Sequence, residues 1–365
     1  MKICSKCVLP ESYPGIEFDE SGVCNYCRNF SLASNTADKS DFSDEQELAE
    51  CLHKFINPNR KYDVLVPISG GVDSSFALIN IVKKYNLRPL AFHNDNGFED
   101  DIATENVRKL CKYLGVDLVL LQHDHNFMKK LWKYTNQSYV HGLTSCYICG
   151  NILYLNAIEL AKKYGIPLVI NGYSKGQAAL IDDMSSGVDL FEKLLDIIKN
   201  TNDNEFFLQF IEKYKVLEIR DSYKCKGDLE KVNEDRVLVI PFFVFKFYKT
   251  DKKALREEIT KLFDWSPMKN SYPGRTTNCQ MVWLNTYMDL LKMSFSAYHI
   301  EYSELIRKGE ITREQALKDL ELIPPEGLLE QLARDIDFDL ERYSDKSVFC
   351  CQDTKKQEID IDFEL

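Results

Sequence analysis

The chain has 365 residues, 44% of them hydrophobic, and a formal charge of −11 at pH 7. That length holds one large domain with appendages or two modest ones. No run approaches the ~18–20 apolar residues of a membrane span, and the start shows no signal-peptide pattern, so a cytoplasmic protein with no membrane partner is expected. The acidic balance argues against a large nucleic-acid partner, which favours a basic surface. Twelve cysteines in a reducing compartment read as ligands or catalysts rather than disulfides.

In chain order, residues 1–30 form a small metal-dependent module. They carry Cys4-x2-Cys7 and Cys24-x2-Cys27 among loop formers (Pro10, Pro14, Gly15, Gly22), with too few apolar residues for a core. Four thiolates suit a tetrahedral Zn²⁺. Structural zinc supplies an apparent ~10–16 kcal/mol in small peptides, in place of the missing core. A redox CxxC pair or an iron–sulfur site is the competing reading. Residues 31–61 read as a polar linker followed by a helix over Asp44–Ile56.

From Tyr62 onward strands and helices alternate, which predicts an α/β domain with a parallel, doubly wound sheet over 62–250. The strands are Asp63–Ile68, Pro89–Asn94, Asp117–His123 and Pro167–Tyr173, with Val237–Pro241 as the last. The helices are Ser74–Tyr85, Asp101–Leu114 and Ile152–Tyr164. The acidic stretch 182–236 breaks the rhythm and reads as an inserted subdomain or lid. Residues 251–345 form a C-terminal helical region, in which Glu301–Leu320 is a helix pair broken at Gly309, with Thr312 as N-cap and Gln315 three residues on. The charged tail 346–365 reads as mobile.

The first strand runs straight into Ser69-Gly70-Gly71-Val72-Asp73-Ser74-Ser75. Paired glycines let backbone N–H groups approach an anion, and the helix N-terminus adds partial positive charge. Asp73 caps the helix or reaches a bound Mg²⁺. The lysine of a Walker A loop is absent. The segment resembles the SGGxDS signature of the PP-loop ATP pyrophosphatases. That resemblance implies a HUP-like sheet and an enzyme that cleaves ATP between its α and β phosphates, leaving AMP on a substrate oxygen. It also implies that Phe92 and Asn94, at the end of the second strand, face the adenine. Gly172 ends a later strand and permits close backbone approach. Lys175 neutralises phosphate charge or is a surface lysine, and His93 is a packing residue or an acid–base group. No pair of carboxylates stands out.

A second cysteine pair, Cys146-Tyr147-Ile148-Cys149-Gly150, precedes the helix leading to strand Pro167–Tyr173. It resembles the CxxCG element of the tRNA 2-thiolation branch of PP-loop enzymes. In that branch two cysteines and a distant third hold a [4Fe–4S] cluster with one iron open for sulfide, and Cys279 is the third by position. Three thiolates suit such a cluster, and a pair suits a persulfide relay. A second zinc and plain structural thiols are the alternatives. Arg275 binds substrate or pyrophosphate, or is a surface-loop arginine.

Both ends of the chain look different. Cys4-Ser5-Lys6-Cys7-Val8-Leu9-Pro10, Asn94-Asp95-Asn96-Gly97-Phe98 and Ser303–Leu317 resemble the N-acetyl sugar amidotransferases of lipopolysaccharide and flagellin-sugar synthesis. There, ammonia from a separate glutaminase would displace AMP. Sulfur is favoured by Cys146, Cys149 and Cys279, and nitrogen by the chain ends. The expectation is ATP-dependent adenylation of a carbonyl or amide oxygen on a small molecule or sugar, followed by its replacement with sulfur from a donor. Amido transfer is the alternative, and tRNA thiolation and a non-enzymatic nucleotide-binding regulator follow it. A homodimer is left open.

Overall fold

Val64–Pro67 form β1, the middle of a sheet that alternates its side chains between two apolar layers. Val64, Val66 and Ile68 enter one core and Leu65 the other. The computed structural model describes residues 1–30, 44–138, 145–173, 195–214, 223–224, 237–240, 252–269, 271–273 and 277–344. The polar linker, Lys175, Arg275, most of 182–236 and the tail lie outside the described residues.

Among the described residues six strands pair in parallel in the order β3-β2-β1-β4-β6-β5. They are β2 Pro89–Asp95, β3 Asp117–Gln122, β4 Leu168–Ile170, β5 Tyr223–Lys224 and β6 Val237–Ile240, besides β1. The register sets Val64 opposite Pro89 and Leu65 opposite Val169. The chain runs outward from β1 through β2 to β3, then returns to β4 on the other side. The carboxyl ends of β1 and β4 therefore flank the switch point, where ligands bind in such sheets.

Four helices cover one face: α2 Glu45–His53, α3 Val72–Lys83, α4 Asp101–Leu114 and α8 Lys252–Phe263. Asp44 caps α2 by accepting from Glu47 N at 2.8 Å, and Asp100 caps α4 by accepting from Ile102 N at 3.0 Å. The opposite face is covered by α6 Ser145–Lys163 through Tyr154, Ala157, Ile158 and Ala161. Because Ile259 and Phe263 of α8 sit in the first core, the sheet domain extends past 250. A helix that sequence reading missed, α5 His125–Gln137, fills the turn after β3.

Beside the sheet lies a second core, where Phe127 and Leu131 of α5 meet Phe206 and Phe210 of α7 Asn204–Tyr214. Leu284 and Met288 of α9 Val282–Met293 and Leu332 of α12 Leu328–Asp335 complete it. The described part of the 182–236 stretch is thus built into a core. The predicted helix pair is present as α10 Ala297–Arg307 and α11 Arg313–Asp319. Thr312 accepts from Gln315 N at 3.1 Å, while the Gln315 side chain turns to Asp319 instead of back to the cap. Short helices α1 Asn25–Arg28 and α13 Leu340–Tyr343 lie toward the two ends of the described residues. Among the described residues no helix is long and apolar enough to cross a membrane.

Asp63, at the entry to β1, anchors the sheet's far end. Its carboxylate accepts from Arg88 Nη2 at 2.7 Å, Arg88 Nε at 2.9 Å, Arg88 N at 3.0 Å and Asn57 N at 3.2 Å. Burial works against ionisation, but these donors hold the carboxyl below its usual range. A carboxyl with a lowered pKa contributes stability that is present above the unfolded value near 4 and lost as pH falls through the folded one. Asp63→Ala should lower the urea unfolding free energy at pH 7 by about 1–3 kcal/mol. Its acid destabilisation should also be shallower than that of the wild type. An unchanged midpoint would contradict this anchoring role.

Candidate functional site

Between β1 and α3 the loop is tied down by its carbonyls. Gly70 O accepts from Trp265 Nε1 at 2.8 Å and from Asn106 Nδ2 at 3.3 Å, and Ser69 O accepts from Asn278 Nδ2 at 3.2 Å. Gly70 has φ +74°, and a Cβ there would stand 2.2 Å from Ala103 O, so only glycine fits. Gly71 is the N-cap of α3, without a side-chain cap. Asp73 is therefore not the cap that one of the two sequence readings made it; it stands inside the first turn. Ser75 Oγ donates to Gly71 O at 2.7 Å, and Ser74 Oγ accepts from Ser69 N at 3.1 Å. The first-turn amides of α3 have no intrahelical acceptor, the arrangement that suits an anion at a helix start.

Those amides open onto a cavity of about 310 Å³. Ser69, Gly71, Val72, Asp73, Ser74, Asn94 and Gly172 line it, and so do Cys146, Cys149 and Cys279. Gly172 brings β4 against α3 so closely that a Cβ would meet Ser74 Cα at 2.8 Å. Next to it, buried Asn171 leaves Nδ2 without a partner among the described residues, a donor waiting at the cavity wall. Phe92 is a correction. It is not among the lining residues; its ring is buried with Leu65 and Leu90, and its carbonyl accepts from Ile68 N at 2.8 Å. Asn94 does line the cavity, its Oδ1 held by Asn156 Nδ2 and His123 Nε2, each at 2.9 Å.

The cysteines converge from two directions. Cys146 and Cys149 lie in the first turn of α6, not ahead of the helix as the sequence suggested, and their i, i+3 spacing puts both on one face. Cys279 arrives on a segment clamped to the turn after β2. Asp100 N donates to Asn278 O at 2.7 Å and Gln280 N to Phe98 O at 2.8 Å, so that Cys279 bridges Glu99. Asn96 Nδ2 reaches Cys279 Sγ at 3.3 Å and Cys149 Sγ at 3.6 Å, and Asn285 Nδ2 reaches Cys146 Sγ at 3.9 Å. Burial pushes all three thiols up, Cys149 to about 11.

Sequence reasoning did not find the Glu99–His93 pair. His93 Nδ1 lies 2.8 Å from Ile68 O and its Nε2 3.0 Å from Glu99 Oε2, and both side chains line the cavity. A carbonyl can only accept, so Nδ1 carries the hydrogen. Burial works against a charged imidazole, but Glu99 outweighs it and holds His93 above its usual range; burial likewise raises Glu99. The pair is set to retain a proton. His93 and Glu99 stand at the two ends of Asn94–Phe98, so a polar residue at each end of that stretch was the signal available.

A second cysteine set lies away from the cavity. Cys4, Cys7, Cys24 and Cys27 are buried, with their sulfurs all within 4.8 Å of one another; among the described residues this is the set that meets that spacing. Cys4 and Cys27 sulfurs are 4.0 Å apart and those of Cys7 and Cys24 3.8 Å. A tetrahedral ion with Zn–S bonds of ~2.3 Å sets sulfurs ~3.8 Å apart. Cys4 Sγ also accepts from the backbone N–H groups of Lys6, Cys7 and Cys24 at 3.3–3.4 Å. Half-buried Arg307, paired to Glu304, is raised further by Cys7 and Cys27, and its Nη1 has no partner among the described residues. This arrangement can hold a divalent cation on four thiolates.

Residues 62–231 match the tRNA methyl transferase HUP domain. An uncharacterized protein of Methanocaldococcus jannaschii is 25% identical over 91% of this chain and 98% of its own length. The tRNA-specific 2-thiouridylase MnmA of Nitratiruptor sp. is 29% identical over 30% of this chain, which spans only 34% of that relative. The U34-tRNA thiolase NcsA of Methanococcus maripaludis, solved with its [4Fe-4S] cluster, overlays at a TM-score of 0.34 and 14% identity, covering 92% of this chain and 96% of NcsA. Together with the HUP-type sheet and its SGGVDSS loop, the domain match over residues 62–231 supports placing that part of the chain with the PP-loop ATP pyrophosphatases.

Proposed function

We propose that this protein binds ATP at the β1–α3 loop, places AMP on a carbonyl or amide oxygen of an acceptor in the adjoining cavity, and replaces that oxygen with sulfur. The observation that carries the reading is the shared cavity: the phosphate loop and Cys146, Cys149 and Cys279 line one space. An enzyme that only delivers ammonia has no use for three thiols there.

In the first half-reaction the acceptor oxygen attacks the α-phosphorus and pyrophosphate leaves. The loop amides would hold the phosphates and Asp73 would hold a Mg²⁺, whose positive charge together with the N–H dipoles would offset that of the leaving pyrophosphate. Glu99, backed by His93, is placed to take the N–H proton that an amide-type acceptor loses as its oxygen becomes bonded to phosphorus. In the second half-reaction sulfur adds to the same carbon, and AMP departs with the original oxygen.

The three thiols fit a [4Fe–4S] cluster better than a persulfide relay. A relay needs a thiolate at neutral pH, favoured by a nearby cation. Burial raises all three thiols, and among the described lining residues there is no Lys or Arg. A metal displaces those protons outright. Cys146, Cys149 and Cys279 would hold the cluster, which supplies an iron free to carry sulfur. The N-terminal quartet, with sulfurs at single-ion spacing, would hold structural Zn²⁺. The partial match to MnmA sets a nucleobase carbonyl in RNA beside the small-molecule or sugar acceptor; both present the same amide-type oxygen.

Turnover should yield AMP and pyrophosphate in equal amounts. Asp73→Ala should reduce pyrophosphate release about 10²-fold or more, while Cys149→Ser should keep nucleotide binding and lose the sulfur product. ADP with orthophosphate would contradict adenylation, and full turnover of Cys149→Ser with ammonium salts would contradict sulfur transfer. Metal analysis should find one zinc per chain that is lost, with a lower Tm, in Cys24→Ser. Zinc retained by that variant would contradict the assignment of the quartet.

A further inference from the structure

The turn after β2 is constructed around one side chain. Asp95 Oδ1 accepts from Gly97 N at 2.7 Å, and Gly97 takes φ +80°, which glycine adopts without strain. Between them Asn96 is buried, and its Oδ1 accepts from Phe98 N at 2.9 Å. That bond sets which end of the amide is which: the oxygen accepts from the backbone N–H, with Cys279 Sγ also 3.8 Å from it, and the NH₂ group lies nearer the sulfurs, 3.3 Å from Cys279 and 3.6 Å from Cys149. Two cysteines 130 positions apart, one on α6 and one on the clamped segment before α9, thus meet at a single amide nitrogen whose aim is set by its own backbone.

The geometry points to Asn96 as a positioning residue that holds Cys149 and Cys279 as a pair and donates N–H···S hydrogen bonds to the group they ligate. The inference rests on the cluster reading above. Partners of this kind orient ligands and tune the metal. Donors to ligand sulfur stabilise the more electron-rich, reduced form, and so raise the reduction potential. Of the side chains that could cap Phe98 N from this position, asparagine combines the acceptor with a donor for sulfur. Aspartate keeps the cap and loses the donor, and leucine keeps neither.

The full-length protein, its Asn96→Asp variant and its Asn96→Leu variant are reconstituted anaerobically with ferrous iron and sulfide. Iron content is then measured, and the midpoint potential is read by EPR-monitored redox titration. The expected result is a shift to more negative potential in both variants, larger in Asn96→Asp because it adds charge. Loss of iron with an unchanged melting temperature also supports the positioning role. Iron bound in both variants at the wild-type potential overturns it. Wild-type protein that takes up no iron overturns the cluster reading itself, and this inference with it, so the two failures are distinct.

Discussion

The carbonyl of Gly70 accepts from Trp265 and Asn106, and this pair of bonds sets the direction of the phosphate loop. A peptide chain has equal numbers of donors and acceptors. A loop that offers several N–H groups to one anion must therefore place its carbonyls elsewhere. Here they are taken by α4, by the segment after α8 and by Asn278. The last of these sits one residue before Cys279, so the tie that turns the loop also draws a cysteine toward the phosphates. On the proposed function, phosphate binding and sulfur ligation would be mechanically one construction.

The same logic links the N-terminal cysteine module to the cavity. Its buried face meets Met293 at the end of α9, and Phe295 and Ile300 beyond it. Arg313 Nε donates to the carbonyls of Cys4 and Cys7 at 3.1 and 2.9 Å. Helix α9 begins with Val282 and Asn285 on the cavity wall, and Tyr298 of α10 joins them. A module too small for its own core thus buttresses two helices whose other contacts shape the site. Burial of both sides at this junction gives the ends of the chain a shared structural task.

Local patterns told most of the fold. Apolar runs bounded by turn residues placed five strands, and glycines marked the loop and the approach of β4. The two CxxC pairs of the N-terminus predicted the convergence seen there. Helix α5 was readable too, since Asp124 caps it by accepting from Phe127 N and Phe127, Met128, Leu131 and Trp132 form its buried stripe; the neighbouring lysines and histidines masked that stripe. Phe92 misled because it lies deeper along the strand: it shares a face with Leu90 and Asn94, but only Asn94, at the strand's end, reaches the cavity, while Phe92 packs with Leu65 and Leu90. What no local pattern could give is register between distant segments. Asn96 meets Cys279 across 183 residues and Trp265 meets Gly70 across 195. Such pairs follow from the order of strands in the sheet, which is fixed only when the whole domain packs.

A structure of the anaerobically prepared protein with a non-hydrolysable ATP analogue tests the central claim most directly. The account predicts the phosphates on the first-turn amides of α3 and the α-phosphorus facing the same cavity as Cys146, Cys149 and Cys279. Nucleotide bound elsewhere, or an α-phosphorus walled off from those cysteines, would contradict it.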